Sequence, residues 1–503
     1  MMAAFVLSRM TGLLRTVVVS ARFGTGPEMD AYVAAIFIPD LVFQIVAGGA
    51  VASAFIPVLS GYLARDDDEG AWRLVSSLFG LAVAILVPIG VLLFVFAEPV
   101  LGLLVSGYSS EQIRLAANLT RVLLASPLFF ALGTLTTSVL NAHQRFLLAA
   151  LAPTTYNLGI ILGAWLFSGW LGIYGLAVGA ALGALGFLLI QIPGLLQCDF
   201  HFFPGLRLKD PGVRQVGKLV APRTLGLAVA QLNFGAIIAL ASPIPGAVTA
   251  LSYAWILMML PLGVFAMAIS TAVFPTLADQ TARDELDAMR ATLSRTLRVI
   301  LYLTIPASIG LMVLAEPIVK LLLERGQFGP DSTALTVYAL RFYALGLIGQ
   351  AAVEIVTRAF YALQDTRTPV AVAAIAMIAN LSLALLLRPG LGHGGLALAL
   401  STASGLEAAL LLLLARRRLG GLEEAQLAAS TIRSLAGAAV LAFALVPVIE
   451  LLQAVLGQAT LLDRVVFVGV AVAIGALVYV AATYLLRAEE PTMVVGLARR
   501  RLG

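Results

Sequence analysis

The chain has 503 residues, 60% of them hydrophobic and only 12% charged, with a formal net charge of +5. Soluble domains average about 45–50% apolar and about 25% charged residues, so an ordinary soluble enzyme or binding module is excluded. The basic excess sits in short loops, where membrane orientation and anionic headgroups account for it, so it does not signal nucleic acid.

Apolar stretches of about 20 residues recur from end to end, which predicts an all-α polytopic membrane protein. Fourteen transmembrane helices are predicted, over residues 2–23, 31–63, 74–106, 113–140, 147–170, 171–196 and 216–241, then 247–277, 297–323, 335–363, 369–387, 394–415, 432–452 and 465–486. Pro88, Pro127, Pro261 and Pro306 fall inside these spans and are expected to kink them. Cys198 is the only cysteine, so there is no disulfide framework and no cysteine-based metal site.

The first span holds Arg9, Arg15 and Arg22. A charge near the bilayer centre costs roughly 2.5–3.5 kcal/mol on insertion scales and usually faces a bundle interior or a watery cavity. Ser8, Arg15 and Arg22 are seven residues apart and share one helix face, with Gly12 beside them. One reading is a basic wall for an anionic substrate. The other has Arg9 and Arg22 snorkelling to the two interfaces; Arg15, near the middle, fits the first reading best. In the second span Asp40 follows Pro39 and is a further candidate near the expected site.

Loops after the even-numbered spans hold Arg65, Arg73, Arg145, Arg207, Lys209, Arg214, Arg283, Arg290, Arg367 and Arg416 to Arg418, and the tail holds Arg487 and Arg499 to Arg501. The positive-inside rule therefore places both termini in the cytoplasm. The chain also repeats itself at an offset of about 220 residues. Ala54-Phe55-Ile56-Pro57 answers Ala272-Val273-Phe274-Pro275, Glu98-Pro99 answers Glu316-Pro317, and Arg121 with Gln144 answers Arg341 with Gln364. Six spans per repeat preserve orientation, so two parallel six-helix lobes are expected, with a substrate site between them near the midplane and two added C-terminal helices. The expected divisions are an N-lobe over 1–198, a cytoplasmic linker over 199–215, a C-lobe over 216–418, and the last two helices with a basic tail over 419–503.

Glu354 and Arg358 are one turn apart and are expected to pair. Glu407 lies among apolar residues, as a proton or cation site or as a buried hydrogen-bonded carboxyl. No phosphate-binding GxxxxGK[ST] loop, His/Cys metal cluster or catalytic triad candidate is present, so the chain reads as a transporter and not an enzyme.

The ordered set of Ser8-Arg9, Gly12, Arg15, Phe23-Gly24, Asp30-Ala31, Pro39, Ala54-Phe55-Ile56-Pro57, Arg145-Phe146, Ala152-Pro153-Thr154, Asn157, Gly326-Gln327-Phe328, Gln364-Asp365 and Thr368-Pro369 resembles the MurJ/MviN family of lipid II flippases, within the multidrug/oligosaccharidyl-lipid/polysaccharide exporter superfamily. The resemblance spans nearly the whole chain. It implies movement of an undecaprenyl-pyrophosphate-linked disaccharide-pentapeptide across a bacterial cytoplasmic membrane for peptidoglycan synthesis, by a protein expected to be monomeric and in contact with membrane lipids. It implies a pyrophosphate contact for Arg9 and Arg15 and an acidic site residue at the outer end of the cavity for Asp30. Guanidinium groups suit that task because they bind phosphate oxygens bidentately.

Departures are also visible. Family arginines of the second helix fall on Phe43 and Gln44, that of the eighth on Ile256, and a family glutamate on Gly48. Gln44 is kept as a candidate contact. Export of another polyprenyl-linked glycan or amphiphile, or a non-transporting scaffold, are the alternatives these departures leave. No cofactor is expected beyond, at most, a monovalent cation, for which Asn233, Asn380 and Glu407 are the candidates.

Overall fold

The computed structural model describes residues 2–207, 209–456, 460–491 and 493, with the side chains of 2–6, 49–50, 52–53 and 221–230 outside the description. The terminal arginines Arg499 to Arg501 lie outside the described residues. In chain order the first elements are α1 (Met2–Phe23), α2 (Pro27–Ala47), α3 (Gly49–Leu63), α4 (Asp68–Leu104), α5 (Ser110–Leu123), α6 (Ser126–Ala142) and α7 (Phe146–Leu162). A π-helical turn (Gly163–Phe167) leads into α8 (Ser168–Leu171), α9 (Ile173–Leu189), α10 (Ile192–Leu196), α11 (Pro211–Ala241) and α12 (Ala247–Pro261). A second π-helical turn (Leu262–Met267) is followed by α13 (Ala268–Ala282), α14 (Leu286–Val313), α15 (Ala315–Leu322) and α16 (Pro330–Ala362). The last three are α17 (Arg367–Leu419), α18 (Glu424–Leu456) and α19 (Leu461–Leu485).

Among the described residues, 11 helices are long and apolar enough to cross a membrane. The described side chains of α3 and α11 give shorter apolar stretches, Ala54–Leu63 and Gln231–Ala241. The 53 residues of α17 exceed one crossing and break at Gly392, whose φ of 55° no helix allows. The count of fourteen crossings is not confirmed among the described residues.

The expected proline kinks are only partly where they were placed. Pro88 and Pro306 sit in helical backbone with no break at the proline. Pro127 opens α6, where a missing N–H costs nothing, and Pro261 closes α12 before the π-helical turn. Backbone breaks occur instead at Gly48, Phe96 and Leu314.

The repeat read from side chains is written in the backbone as well. Phe96 (φ −95°, ψ 15°) and Leu314 (φ −91°, ψ 13°) each stand three residues before the proline of a Glu-Pro pair. Gly172 (φ 56°, ψ −135°) and Gly392 (φ 55°, ψ −134°) adopt the same rare conformation. Left-handed residues match at Gly24 and Gly246, Asp66 and Asp284, Gln144 and Gln364, and Asp199 and Gly420. Such conformations are costly outside glycine, so their recurrence at one offset is strong support for duplication.

Internal contacts divide the chain into two compact units, Met1–Thr249 with Arg325–Gly329, and Ala250–Glu324 with Pro330–Gly503. The division by packing differs from the division by repeat. α11, which opens the second repeat, packs on α2, α3 and α4 of the first unit, with Phe234 against Phe37 at 6.0 Å and Gly235 leaving room for that ring.

In the first unit α7 and α9 meet through glycine. A Cβ on Gly179 would stand 2.5 Å from Gly163 Cα and 2.5 Å from Gly159 O, and one on Gly183 would stand 2.7 Å from Tyr156 O. Lipid offers no hydrophobic drive for helix association, so close backbone packing supplies it. α1 lies on α7, pinned by buried Asn157, whose Nδ2 donates to Ser8 O (3.3 Å) and to Thr11 Oγ1 (3.4 Å). The Gly326-Gln327-Phe328 turn seals the end of α1: Gln327 N donates to Ala21 O at 2.8 Å, and Gly326, with φ 60°, would place a Cβ 2.2 Å from that same oxygen. The segment after Cys198 lies along α4, with Phe200 edge-on to Trp72 at 5.3 Å, Phe203 N bonded to Ser76 Oγ at 3.0 Å and Arg73 over the Phe203 ring. Cys198 is buried there and burial raises its thiol pKa, which leaves it protonated and inert.

In the second unit α14 is the hub, packed on α16 and α18. The added pair α18–α19 is tied to it by polar groups: Tyr479 Oη donates to Tyr302 O at 2.8 Å, Tyr302 Oη lies 3.1 Å from Thr483 Oγ1, and buried Arg298 meets Glu489 at 3.5 Å and Glu423 at 3.9 Å. The Glu354–Arg358 pair forms as expected, at 2.5 Å. Asp365, in the turn before α17, accepts from the backbone N–H groups of Arg367 and Thr368 and from the Thr368 hydroxyl.

Two predictions follow from this packing. Gly179→Val should lower stability by about 1–3 kcal/mol through overpacking, read as a fall in thermal midpoint of the purified protein in detergent. For Asp365, the bonds from Thr368 hold its pKa below the ordinary carboxylate value. The folded state therefore favours the ionised form, and the resulting stabilisation is complete above about pH 4 and lost as pH falls through the lowered pKa. The stability gap between wild type and Asp365→Asn should accordingly close in acid, measured as thermal midpoint against pH.

Candidate substrate site in the first unit

The ionisable residues of α1 and α2 separate by whether the protein itself uses them. Arg22 is exposed at the end of α1, and its Nε donates to Ser168 Oγ at 2.9 Å, where the π-helical turn passes into α8. Asp30 is 1% exposed and fully engaged. Its Oδ2 accepts from Gly246 N at 2.7 Å, and its Oδ1 from Thr249 N at 2.8 Å and Thr249 Oγ1 at 2.6 Å. These donors sit at the start of α12, where the first N–H groups have no partner inside their own helix. Asp30 is thus an anchor between the starts of two helices, with both oxygens bonded by the protein. Ser8 is half-buried and uses its carbonyl to receive Asn157 and Thr11, and Arg9 is exposed beside it.

Arg15, Asp40 and Gln44 are different. Arg15 is half-buried near the middle of α1, Asp40 is exposed on α2 behind buried Pro39, and Gln44 follows Asp40 by one turn on the same face. None of the three has a side-chain hydrogen bond or ion pair within the described residues. Arg15 and Asp40 are near enough to act on one another electrostatically, and both act on Tyr156 of α7. Sequence reasoning missed Tyr156, which stands beside the noted Asn157 but gives no pattern of its own.

The helices leave space at this place. α1 packs on α7 and α2 on α5 and α6, while α1 and α2 scarcely touch. Tyr156 and its neighbours form the wall of the resulting cleft: Phe130 of α6 packs against Tyr156 at 4.8 Å, Phe187 of α9 at 5.4 Å and Phe43 of α2 at 5.5 Å. A guanidinium, a carboxylate, a carboxamide and a phenol thus face one half-open aromatic cleft with their bonding capacity uncommitted. Such groups inside an apolar bundle mark a place that water or a polar ligand enters.

The cation candidates are less concentrated. Asn233 belongs to the first compact unit, and buried Asn380 and half-buried Glu407 to the second. Among the described residues no group of three or more His, Cys, Asp or Glu side chains is gathered for a metal.

Replacing Asp30 by Ala would strip charge-assisted acceptors from buried N–H groups, at a cost of roughly 1.5–3 kcal/mol. A drop in thermal midpoint is expected for Asp30→Ala. Arg15→Ala, which removes no internal bond among the described residues, should leave stability within about 0.5 kcal/mol of wild type and the midpoint little changed.

Residues 19–467 match the family model described as lipid II flippase MurJ. A probable lipid II flippase MurJ of Vibrio cholerae is 33% identical over 421 residues, 81% of this chain and 80% of that protein. The lipid II flippase MurJ of Burkholderia cenocepacia is 31% identical over 424 residues, 82% of each. A solved lipid II flippase MurJ in an inward closed conformation superposes with a TM-score of 0.80 at 26% identity, over 96% of this chain and 98% of that one. An inward-facing MATE family multidrug transporter superposes with a TM-score of 0.70 at 16% identity, over 83% and 96% of the two chains, which is a likeness of fold alone. With two related curated flippases, a solved relative across nearly its full length and a family model over most of its residues, the chain belongs to the lipid II flippase MurJ family.

Proposed function

We propose that this protein moves lipid II, the polyprenyl-diphosphate-linked peptidoglycan precursor, across the bacterial cytoplasmic membrane, with Arg15 as the principal contact for the diphosphate. The observation that carries this reading is the uncommitted guanidinium of Arg15 midway along α1, in a cleft that also presents Asp40 and Gln44. A diphosphate leaving water for a low-dielectric bundle needs a partner that stays charged, and arginine offers a rigid fork of donors matched to phosphate oxygens. Arg9 extends the basic surface towards the start of α1, and Arg22 serves the far end of the helix.

The polyprenyl tail stays in lipid while the headgroup passes through the protein, and the site is exposed to the two membrane faces in turn. Both termini lie on the cytoplasmic side, in keeping with the basic loops after even-numbered spans. With no nucleotide-binding loop in the sequence, drive comes from the membrane potential, an ion gradient or the supply and removal of substrate. Glu407 and Asn380 are the residues to examine for ion coupling.

The decisive experiment is rescue of a bacterial strain depleted of its own lipid II flippase. Wild type should restore growth and lipid II translocation, and Arg15→Ala should reduce translocation at least about tenfold, the equivalent of one lost charge-assisted contact, at unchanged protein level. Rescue by Arg15→Ala equal to wild type would defeat the assignment.

A further inference from the structure

The nearness of Asp40 to Arg15 is unexpected for a site that receives only an anion. A carboxylate within electrostatic range of the guanidinium reduces the attraction that a diphosphate feels, and among the described residues Asp40 accepts no hydrogen bond. An ionised carboxylate only accepts hydrogen bonds, so what it can hold is a donor: a hydroxyl, an amide N–H or an ammonium. Gln44, one turn on, adds both a donor and an acceptor on the same face. The wall beside them is aromatic, with Phe43 and Tyr156 on either side of Phe130 and all three half-exposed. Aromatic faces carry negative charge density that attracts polarised C–H groups, and their apolar area matches the flat face of a pyranose ring. Hydrogen-bond acceptors close to aromatic rings suit a sugar, whose hydroxyls donate and whose ring face is apolar.

We propose that Asp40, Gln44 and the Phe43–Tyr156 wall form a glycan subsite, which binds the sugar joined to the diphosphate while Arg15 takes a phosphate oxygen. Asp40 accepts hydrogen bonds from sugar hydroxyl or N-acetyl N–H groups, and Phe43 covers the ring face. The subsite makes this cleft select a glycosylated diphosphate over the bare carrier, which matters because both occur in the same membrane. This inference rests on the lipid II reading above and deepens it.

Opposite signs test the proposal. The full chain, purified into lipid nanodiscs, is titrated with two probes, lipid II and undecaprenyl diphosphate without sugar, for wild type, Asp40→Ala, Asp40→Asn and Arg15→Ala, with thermal midpoints to confirm folding. Asp40→Ala should weaken lipid II by roughly tenfold, one charge-assisted hydrogen bond, and should tighten the bare diphosphate, because the competing charge has gone. Asp40→Asn should shift both probes in the same directions by less, and covers the case in which the alanine variant does not fold. Arg15→Ala should weaken both probes. Equal shifts of both probes in Asp40→Ala, or no shift for lipid II, would overturn the subsite while leaving the flippase reading in place. Binding of neither probe by wild type would overturn both.

Discussion

An ionised side chain inside an apolar bundle must be bonded by the protein or left facing something polar, because hydrocarbon offers it nothing. That constraint sorts the charges of this chain. Asp30 is consumed by the backbone at the start of α12, Arg358 by Glu354, and Arg464 by the carbonyls of Lys320 and Glu324 and the Glu324 carboxylate. Arg15 and Asp40 remain uncommitted, and they are near one another in the cleft that α1 and α2 leave open. Leaving them unbonded is costly in an apolar bundle, which is the ground for the proposed site.

Holding a cleft open requires rigidity around it. α1 cannot lean on α2, so it is fixed from behind by α7, through Asn157, and at its end by the Gly326-Gln327-Phe328 turn. α7 is in turn locked on α9 by glycines that bring backbone against backbone. Residues that look conformational in the sequence therefore act on the site at one remove, by setting where Arg15 stands. Phe43 and Gln44 contribute differently. They set an aromatic ring and a carboxamide one turn from Asp40 on the same helix.

The duplicated backbone explains the economy of the fold. Each repeat breaks its third span three residues before the proline of a Glu-Pro pair, turns through a left-handed glutamine after its fourth, and reverses at a glycine with φ near 55°. Packing then departs from descent, since α11 joins the first unit through Phe234 and Phe37. The added helices α18 and α19 attach by tyrosine hydroxyls and a buried arginine, where an apolar surface would gain little in lipid.

The sequence by itself determined the class, the repeat and most spans to within a few residues. It could do so because apolar length, loop charge and an out-of-place arginine are local properties, visible without neighbours. It could not say which prolines fall at element ends: Pro127 and Pro261 stand at helix ends, Pro88 and Pro306 within helices. It also could not separate Asp30 from Asp40, two acidic residues ten positions apart on one helix. Only the tertiary structure showed that one is enclosed by backbone N–H groups and the other is not, and only it brought Tyr156 and Phe130 to the cleft. Whether a charge is spent on the fold or kept for a ligand depends on what stands across from it, and that partner is supplied by distant parts of the chain.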